Sequence, residues 1–294
     1  MGMNPDAAFD AYDWYFRGVL EIPSYIDSAF RSSRTNEVYF FLQDKYMRLE
    51  YTPGQHTQRD DKILTDLDWI CYDFPSLEYT SLGAYGIECS FDTEGNKAYI
   101  FCGDICAYFD YANDKILSLT GIKRMFPVLK DTVFEHRIDS AFRSFRGKEA
   151  YLFKGNKYGC IDYESRQLIG PIRNITDGFP VLKGTVFEDG IDACFASHKE
   201  NQVYLFKGEN YVMINFTPGN TDDTLVDGVK LIVDGWPSFK NILPLYNEGV
   251  DSYPQKPGTN RYKYRNCSTC PGMHDEEDED DEEDEDVMKE DEDE

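Results

Sequence analysis

Residues 138–163 read IDSAFRSFRGKEAYLFKGNKYGCIDY, and residues 191–216 repeat this pattern as IDACFASHKENQVYLFKGENYVMINF. Each stretch opens on Ile-Asp, two small residues and Phe, continues with a Tyr-Leu-Phe-Lys-Gly block, and ends on a third apolar block. The blocks are short and aromatic, and Gly, Asn and Asp fill the gaps between them. The pattern therefore predicts antiparallel β-strands joined by tight turns.

The same pattern occurs four times along the chain. The opening blocks start 61, 51 and 53 residues apart, and each copy closes on an aromatic residue followed by proline. Three or four short strands at this period are typical of propeller blades, which bury their faces against neighbouring blades. We therefore predict an all-β, four-bladed β-propeller. The opening blocks are Ile26–Phe30, Ile87–Phe91, Ile138–Phe142 and Ile191–Phe195, and the closing pairs are Phe74-Pro75, Phe126-Pro127, Phe179-Pro180 and Trp236-Pro237.

The opening blocks also indicate a radial arrangement. The two residues before the Phe are small in all four copies, as expected for innermost strands that converge on an axis. A channel between only four blades is narrow, and it suits ions or water better than a large organic substrate. Residues 172–178, which precede the third closing pair, fit either a short helix or an outer strand.

We predict one globular domain between two less regular ends. The first residues contain several aromatic side chains, which we expect to pack against the propeller. The linker after the propeller contains the pair Cys267 and Cys270, which we interpret as an exposed dithiol rather than a zinc or redox site, because a second such pair and a βαβ context are missing. The predicted segments are an N-terminal extension at 1–24, a propeller at 25–246 with blades at about 25–75, 86–127, 137–180 and 190–238, a linker at 247–274 and an acidic tail at 275–294.

Negative charge is concentrated in the tail. The formal net charge is −25, but residues 275–294 hold 17 acidic residues and one Lys, which gives −16 there and −9 for the other 274 residues. No basic patch for a phosphate backbone is apparent, which argues against nucleic-acid binding. The tail cannot bury enough apolar surface to fold, so we expect it to be disordered.

The sequence favours a cytoplasmic location. The N-terminus lacks the basic and apolar regions of a secretory signal, and no run approaches the roughly 18 apolar residues that span a bilayer. The eight cysteines scatter without a disulfide framework, and we expect them to be reduced. The sequence therefore predicts no membrane partner.

The repeats resemble the hemopexin repeat. The shared features are an Ile-Asp-x-Ala-Phe start, a Tyr-x-Phe-x-Gly middle and a closing Phe-Pro. Within this family the chain is similar to the albumin-2 group of cytosolic legume seed albumins, on the segments Phe195–Lys199 and Gly184–Glu188. The resemblance covers about residues 25–245.

The resemblance implies a propeller with ions along its channel, calcium among them, held by main-chain oxygens near the start of each inner strand. A hard cation prefers several oxygen ligands, and four related strands on one axis supply them symmetrically. The alternative is that these acidic residues cap strands at a solvated channel mouth. The corresponding positions are Asp27, Glu88, Asp139 and Asp192, of which Glu88 departs from the usual Asp or Asn.

The resemblance also implies seed nitrogen storage, polyamine (spermine) binding and, in some relatives, haem binding. An acidic protein attracts a polycation, since its negative field raises the local polycation concentration. For haem, His136 and His198 are the candidate ligands, because a neutral imidazole is a common axial ligand and both lie beside inner strands.

We therefore interpret the chain as a non-enzymatic binding or storage protein. No nucleophile elbow, phosphate-binding glycine loop or metalloprotease helix occurs in the sequence. One alternative is an enzyme with its site on a propeller face or at bound haem. A second is a scaffold whose acidic tail recruits a basic protein. A homodimer is the general expectation, because two-fold dimers are the commonest oligomers.

Overall fold

The computed structural model describes residues 23–34 and 36–246, which form a four-bladed β-propeller. This confirms the predicted fold class. Most of the N-terminal extension, the linker with Cys267 and Cys270, and the acidic tail lie outside the described residues. No helix of the described part is long and apolar enough to cross a membrane.

Each blade is one antiparallel sheet whose strands follow the chain from the axis outward. Blade 3 differs in its outermost strand, which is broken into two short pieces around Gly170 and Pro171 because proline cannot donate to the ladder. The strands are β1 Ser28–Arg31, β2 Glu37–Leu42, β3 Lys45–Glu50 and β4 Lys62–Trp69 in blade 1; β5 Cys89–Asp92, β6 Lys97–Cys102, β7 Ile105–Asp110 and β8 Lys115–Gly121 in blade 2; β9 Ser140–Arg143, β10 Glu149–Lys154, β11 Lys157–Asp162, β12 Gln167–Leu168 and β13 Arg173–Asn174 in blade 3; and β14 Ala193–Ala196, β15 Gln202–Lys207, β16 Asn210–Asn215 and β17 Thr224–Leu231 in blade 4.

A one-turn helix and a 3₁₀ turn follow each outer strand. Each 3₁₀ turn begins at the closing proline, whose fixed φ suits the first helical position. Residues 172–178 contain both predicted elements, because Asn174 and Asp177 form a capping box that starts a helix directly after β13. The helices are α1 Ile70–Asp73, α2 Ser81–Tyr85, α3 Ile122–Met125, α4 Ile175–Gly178 and α5 Ile232–Gly235, and the 3₁₀ turns are Pro75–Leu77, Pro127–Leu129, Pro180–Leu182 and Pro237–Phe239.

The four inner strands surround the axis. Each contacts the inner strands of the two neighbouring blades. Their small side chains are almost fully buried, as expected for strands that converge on the axis, where large side chains would collide. Ser28 Oγ lies 2.5 Å from Ser90 Oγ, and Ser140 Oγ donates to the carbonyl of Ile191 (2.8 Å), so hydroxyls link adjacent blades near the axis.

The hydrophobic core is divided among the blade interfaces. Four buried clusters occur among the described residues, and each is made by two adjacent blades. No blade could bury both of its faces alone, so each blade depends on its neighbours for part of its hydrophobic core. The six described cysteines are buried and free, as the sequence predicted.

A side chain at the end of each third strand connects its blade to the preceding one. Three blades use a Tyr whose hydroxyl bonds a polar residue just beyond the preceding blade's inner strand. Blade 4 has Phe216 instead, and Phe145 stands at the matching place in blade 3, so this connection is apolar on both sides. The polar pairs are Tyr51 with His198 (2.9 Å), Tyr111 with Ser33 (2.6 Å) and Tyr163 with Glu94 (3.2 Å).

The interface between blades 1 and 4 closes the ring, and we call it the seam. A long loop at residues 51–61, the seam loop, connects β3 to β4 and crosses onto blade 4, whereas the equivalent connection in blade 2 is residues 111–114. This insertion lengthens the first repeat. The loop's bonds to blade 4 include Gln58 N–H to Gly235 O (2.6 Å), Gln58 Nε2 to Tyr204 Oη (3.0 Å), Tyr204 Oη to Gln55 O (2.6 Å), Tyr211 Oη to His56 O (3.0 Å), Lys230 Nζ to Thr57 Oγ1 (3.2 Å) and Ser238 N–H to Asp61 Oδ2 (3.1 Å).

The surroundings of His56 predict that the seam is sensitive to acid. Its ring is 6% exposed and stacks on Tyr211 (centroids 4.8 Å apart), and neither ring nitrogen has a hydrogen-bond partner in the described part. Burial and Lys230 lower the pKa of His56, while Asp227, 3.8 Å away, acts against them. Because the pKa of His56 is lower in the folded than in the unfolded state, neutral His56 contributes its full share to the free energy of unfolding above the unfolded-state pKa of about 6.5. This contribution is lost as pH falls through the folded-state pKa.

We expect His56→Phe to reduce this acid sensitivity. Phenylalanine preserves the stack on Tyr211 and the backbone carbonyl that Tyr211 bonds, but it cannot be protonated. Urea unfolding between pH 7.5 and 5 should show a smaller loss of stability in the variant than in the parent protein. Parallel losses in both proteins would contradict the assignment of the effect to this ring.

Candidate cation site at the channel mouth

The repeat brings four acidic residues to one end of the channel, which we call the channel mouth. Each lies one residue before an inner strand. Each also donates its backbone N–H to the carbonyl of a Phe near the C-terminal end of the second strand of its blade. This bond fixes the start of the inner strand. The four are the sequence-predicted residues Asp27, Glu88, Asp139 and Asp192.

Each of these carboxylates accepts a backbone N–H from the hairpin turn of its own blade. The side chains therefore tether the turns, and they do not converge on one point. Among the described residues, no three His, Cys, Asp or Glu side chains are arranged to hold a metal ion. The bonds run from Gln43 to Asp27 (2.5 Å), Gly103 to Glu88 (2.9 Å), Gly155 to Asp139 (2.7 Å) and Gly208 to Asp192 (2.8 Å).

The carboxylates nevertheless share one electrostatic field. Burial and, to a smaller extent, the charges of Glu88 and Asp192 raise the pKa of Asp27, while the Gln43 N–H and Arg137 lower it, and the net result is a pKa of about 6. A carboxyl group whose ionised form is disfavoured by like charges gains from a nearby cation. The mouth is therefore an acidic environment in which cations are favoured.

Two basic side chains occupy one half of the mouth. Arg137 Nε lies 3.5 Å from Glu88 Oε2 and 3.7 Å from Asp139 Oδ1, and Lys154 Nζ lies 2.9 Å from the same Asp139 oxygen. Among the described residues, no ion pair involves Asp27 or Asp192. The mouth thus has one half, at Glu88 and Asp139, whose carboxylates form ion pairs, and an open acidic half at Asp27 and Asp192 without them. Lys207 Nζ lies near this open half, 3.6 Å from the position that a Cβ on Gly190 would take.

Backbone hydrogen bonding leaves one edge of each inner strand open to the channel. In blade 1 the Ser32 N–H donates to Glu37 O (2.9 Å), and this bond fixes which residues of β1 hydrogen-bond to β2. The backbone N–H and C=O groups of Ser28 and Phe30 point toward β2, whereas those of Ala29 point to the free edge of the strand. Equivalent bonds in the other blades give the same alternation. The free-edge carbonyls nearest the mouth within the four strands belong to Ala29, Ser90, Ala141 and Cys194.

The opposite end of the channel is closed by ion pairs. Asp92 Oδ2 lies 3.1 Å from Arg31 Nε and 3.7 Å from Arg143 Nη1, and Arg31 Nη1 donates to the carbonyl of Ser197 (2.6 Å). These side chains are largely buried, with 7% of Asp92 exposed. At this end the two guanidinium groups pair with the carboxylates of Asp92 and Glu94. Among the described residues, unpaired carboxylates near the axis stand at the mouth, which is therefore the end that favours cations.

The two histidines proposed as haem ligands lie at opposite ends of the inner strands. His136 precedes β9 at the mouth, and its side chain is 79% exposed. His198 follows β14 at the far end, where Nδ1 is 2.9 Å from Tyr51 Oη and Nε2 is 2.9 Å from Ser32 O. The structure does not bring them together, and both nitrogens of His198 already bond blade 1.

Arg137 and Lys154 were not among the predicted site residues, and the main-chain oxygens that the resemblance implies did not extend to the free-edge carbonyls within the strands. A repeat alignment contains a signal for Arg137, because the residues at this position in the other blades are Tyr25, Gly86 and Gly190. The carbonyls leave no signal, since a backbone oxygen belongs to every residue type.

Comparisons with known proteins agree with this architecture. The chain is 49% identical over 229 residues to Albumin-2 of pea (Pisum sativum), a match that covers 76% of this chain and 98% of the pea protein. The chain matches no protein-family model. Solved structures of similar proteins are also found among legume seeds.

Two such structures bear on the fold and on metals. A hemopexin fold protein from cow pea is 58% identical with a TM-score of 0.72, and the match covers 76% of this chain and 100% of that one. A chain from Cicer arietinum, described as a plant lectin with two metal binding sites, is 53% identical with a TM-score of 0.72, and it covers 75% of this chain and 99% of its own.

Proposed function

This chain belongs to the albumin-2 family of hemopexin-fold seed albumins, and we propose that it is a non-enzymatic binding or storage protein that holds calcium in its propeller channel. The observation that carries the proposal is the acidic mouth, where burial and the charges of Glu88 and Asp192 raise the pKa of Asp27 to about 6. The two metal binding sites of the Cicer arietinum relative support it.

The donor chemistry suits a hard cation. Calcium takes six to eight oxygen ligands, and backbone carbonyls serve it well. The carboxylates are engaged by the hairpin turns, so the ligands in this proposal are main-chain oxygens of the four acidic residues at the mouth, followed along the axis by the carbonyls of the free edges. The carboxylates supply the surrounding negative field rather than direct ligands. Bound calcium would supply a fixed charge that joins the four blades.

Calorimetric titration of calcium chloride into the full chain tests this function. We expect saturable binding above the diffuse contribution of the acidic tail. The double variant Asp27→Asn, Asp192→Asn preserves hydrogen-bond acceptors for both turns and removes the unpaired charges of the mouth. It should bind calcium more weakly by roughly five- to twentyfold.

The double variant Asp66→Asn, Asp68→Asn provides the matched control. Both residues are exposed on the outer strand β4, so their replacement removes two carboxylate charges without touching the channel. Equal affinities in the mouth variant and the control would assign the measured binding to the tail or to general acidity. The channel proposal would then fail.

Spermine and haem are further ligands within the proposal. A linear polyamine matches the open acidic half of the mouth in charge, and the same variants test it. For haem, His136 is the accessible candidate, whereas His198 would first have to release Ser32 and Tyr51. A Soret band that appears on haemin addition and is lost in His136→Ala would support haem binding.

Saccharide binding is the second candidate function. It is favoured by the description of the Cicer arietinum relative as a lectin. Agglutination of erythrocytes by the purified chain, tested with and without a chelator, distinguishes this function from cation binding alone.

A further inference from the structure

We propose that Arg137 is a tethered cation that occupies the Glu88–Asp139 half of the channel mouth and competes there with cations from solution. The inference deepens the proposed cation-binding function and rests on it. It makes Arg137 a residue that sets the affinity and the charge selectivity of the mouth.

The geometry supports competition rather than a structural ion pair. Arg137 Nε lies 3.5 Å from Glu88 and 3.7 Å from Asp139, which is too long for strong hydrogen bonds to either carboxylate. Its side chain is 52% exposed, so the guanidinium is hydrated and an approaching cation can displace it. Exposed pairs of this kind contribute little to folding stability, and their removal leaves the fold intact.

Both carboxylates would keep their structural roles without Arg137. Glu88 still accepts the Gly103 N–H, and Asp139 still accepts the Gly155 N–H and the Lys154 ammonium. Removing the guanidinium therefore exposes negative charge at the mouth without releasing a hairpin turn. Its influence reaches the open half as well, because its charge also acts on Asp27 across the mouth.

Arg137 occupies a position at which the other three repeats have no charged residue. The residues one place before the opening Ile of the other three copies are uncharged, so the arginine breaks the four-fold pattern of the site. Without it, Glu88 would join Asp27 and Asp192 in having no ion pair among the described residues, while Asp139 would keep Lys154. With it, a soluble cation meets one open half and one half that already holds a positive charge.

The test compares four full-length proteins by calorimetric titration with calcium chloride: the parent protein, Arg137→Gln, Arg137→Lys and Arg124→Gln. Arg124 is exposed in α3, away from the pairs described above, so its variant has the same net charge as Arg137→Gln. The acidic tail is identical in all four, so differences between them report on the mouth. We expect Arg137→Gln to bind calcium about three- to tenfold more tightly, with a steeper salt dependence.

The outcomes separate the inference from the function on which it rests. Tighter binding in Arg137→Gln, with Arg137→Lys and Arg124→Gln close to the parent, supports tethered competition. Calcium binding that is equal in Arg137→Gln and Arg124→Gln overturns the inference and leaves the cation site standing. Absence of saturable binding in both the parent and Arg137→Gln overturns the cation site and the inference with it.

Discussion

Replacing Trp236 with alanine is expected to lower the free energy of unfolding by about 3–5 kcal/mol. Trp236 is the closing aromatic residue of blade 4, is fully buried, and packs at the seam. Its ring centroid lies 5.4 Å from those of Phe40 in blade 1 and Tyr204 in blade 4. Because alanine would leave a cavity between the first and last blades, the loss falls on the interface that closes the ring. Urea unfolding followed by circular dichroism measures it.

Trp236→Phe is the matched variant. The indole Nε1 is buried without a hydrogen-bond partner in the described part, so phenylalanine removes an unsatisfied donor along with some volume. We expect Trp236→Phe to lower the free energy of unfolding by less than about 2 kcal/mol, since removing the unsatisfied N–H partly offsets the lost contacts. A Trp236→Ala protein as stable as Trp236→Phe would show that this cluster does not hold the seam.

Gly86→Ala is expected to have the second large effect, at least about 3 kcal/mol. Gly86 has a φ of +101°, and a Cβ at this position would lie 1.9 Å from the carbonyl oxygen of Gln43. That oxygen belongs to the hairpin turn whose N–H is held by Asp27. The methyl group therefore has to displace a backbone segment of blade 1 at the channel mouth, and cation binding should weaken together with stability.

Gly103→Ala separates the clash from the cost of a positive φ. Gly103 has a φ of +57°, and a Cβ there would meet nothing within 4 Å. Its N–H still reaches Glu88 after the substitution, so we expect a loss of only about 1 kcal/mol. Thermal unfolding of the two variants side by side gives the comparison, and similar losses would refute the clash with Gln43.

The propeller could be predicted from the sequence because the same pattern occurs four times. The four copies predicted four blades, and the small residues of the opening blocks predicted that their strands lie innermost, at the axis. The outer strand of blade 3 was ambiguous, since Pro171 breaks its ladder and Asn174 caps a helix within three residues. Strand and helix propensities alone do not locate the point at which this strand ends and the helix begins.

The site was only partly predictable. The sequence identified the four acidic positions, but the direction of a carboxylate depends on the turn that it meets in the fold. His198 illustrates the difficulty: its place beside an inner strand resembles that of a ligand, yet its ring bonds blade 1. Partners that lie one blade away in space, such as Tyr51 for His198, are separated by 147 residues in the chain.

The seam has a consequence for the synthesis of the protein. Gln58 emerges from the ribosome early, whereas Tyr204 and Gly235, which it bonds, lie 146 and 177 residues later. At about 5–20 residues per second, these partners follow after roughly 7 to 35 seconds. Throughout that time the first blade exposes the face that it will later bury. The fourth blade of another nascent copy offers the same partners, so crowded polysomes favour exchange of blades between chains.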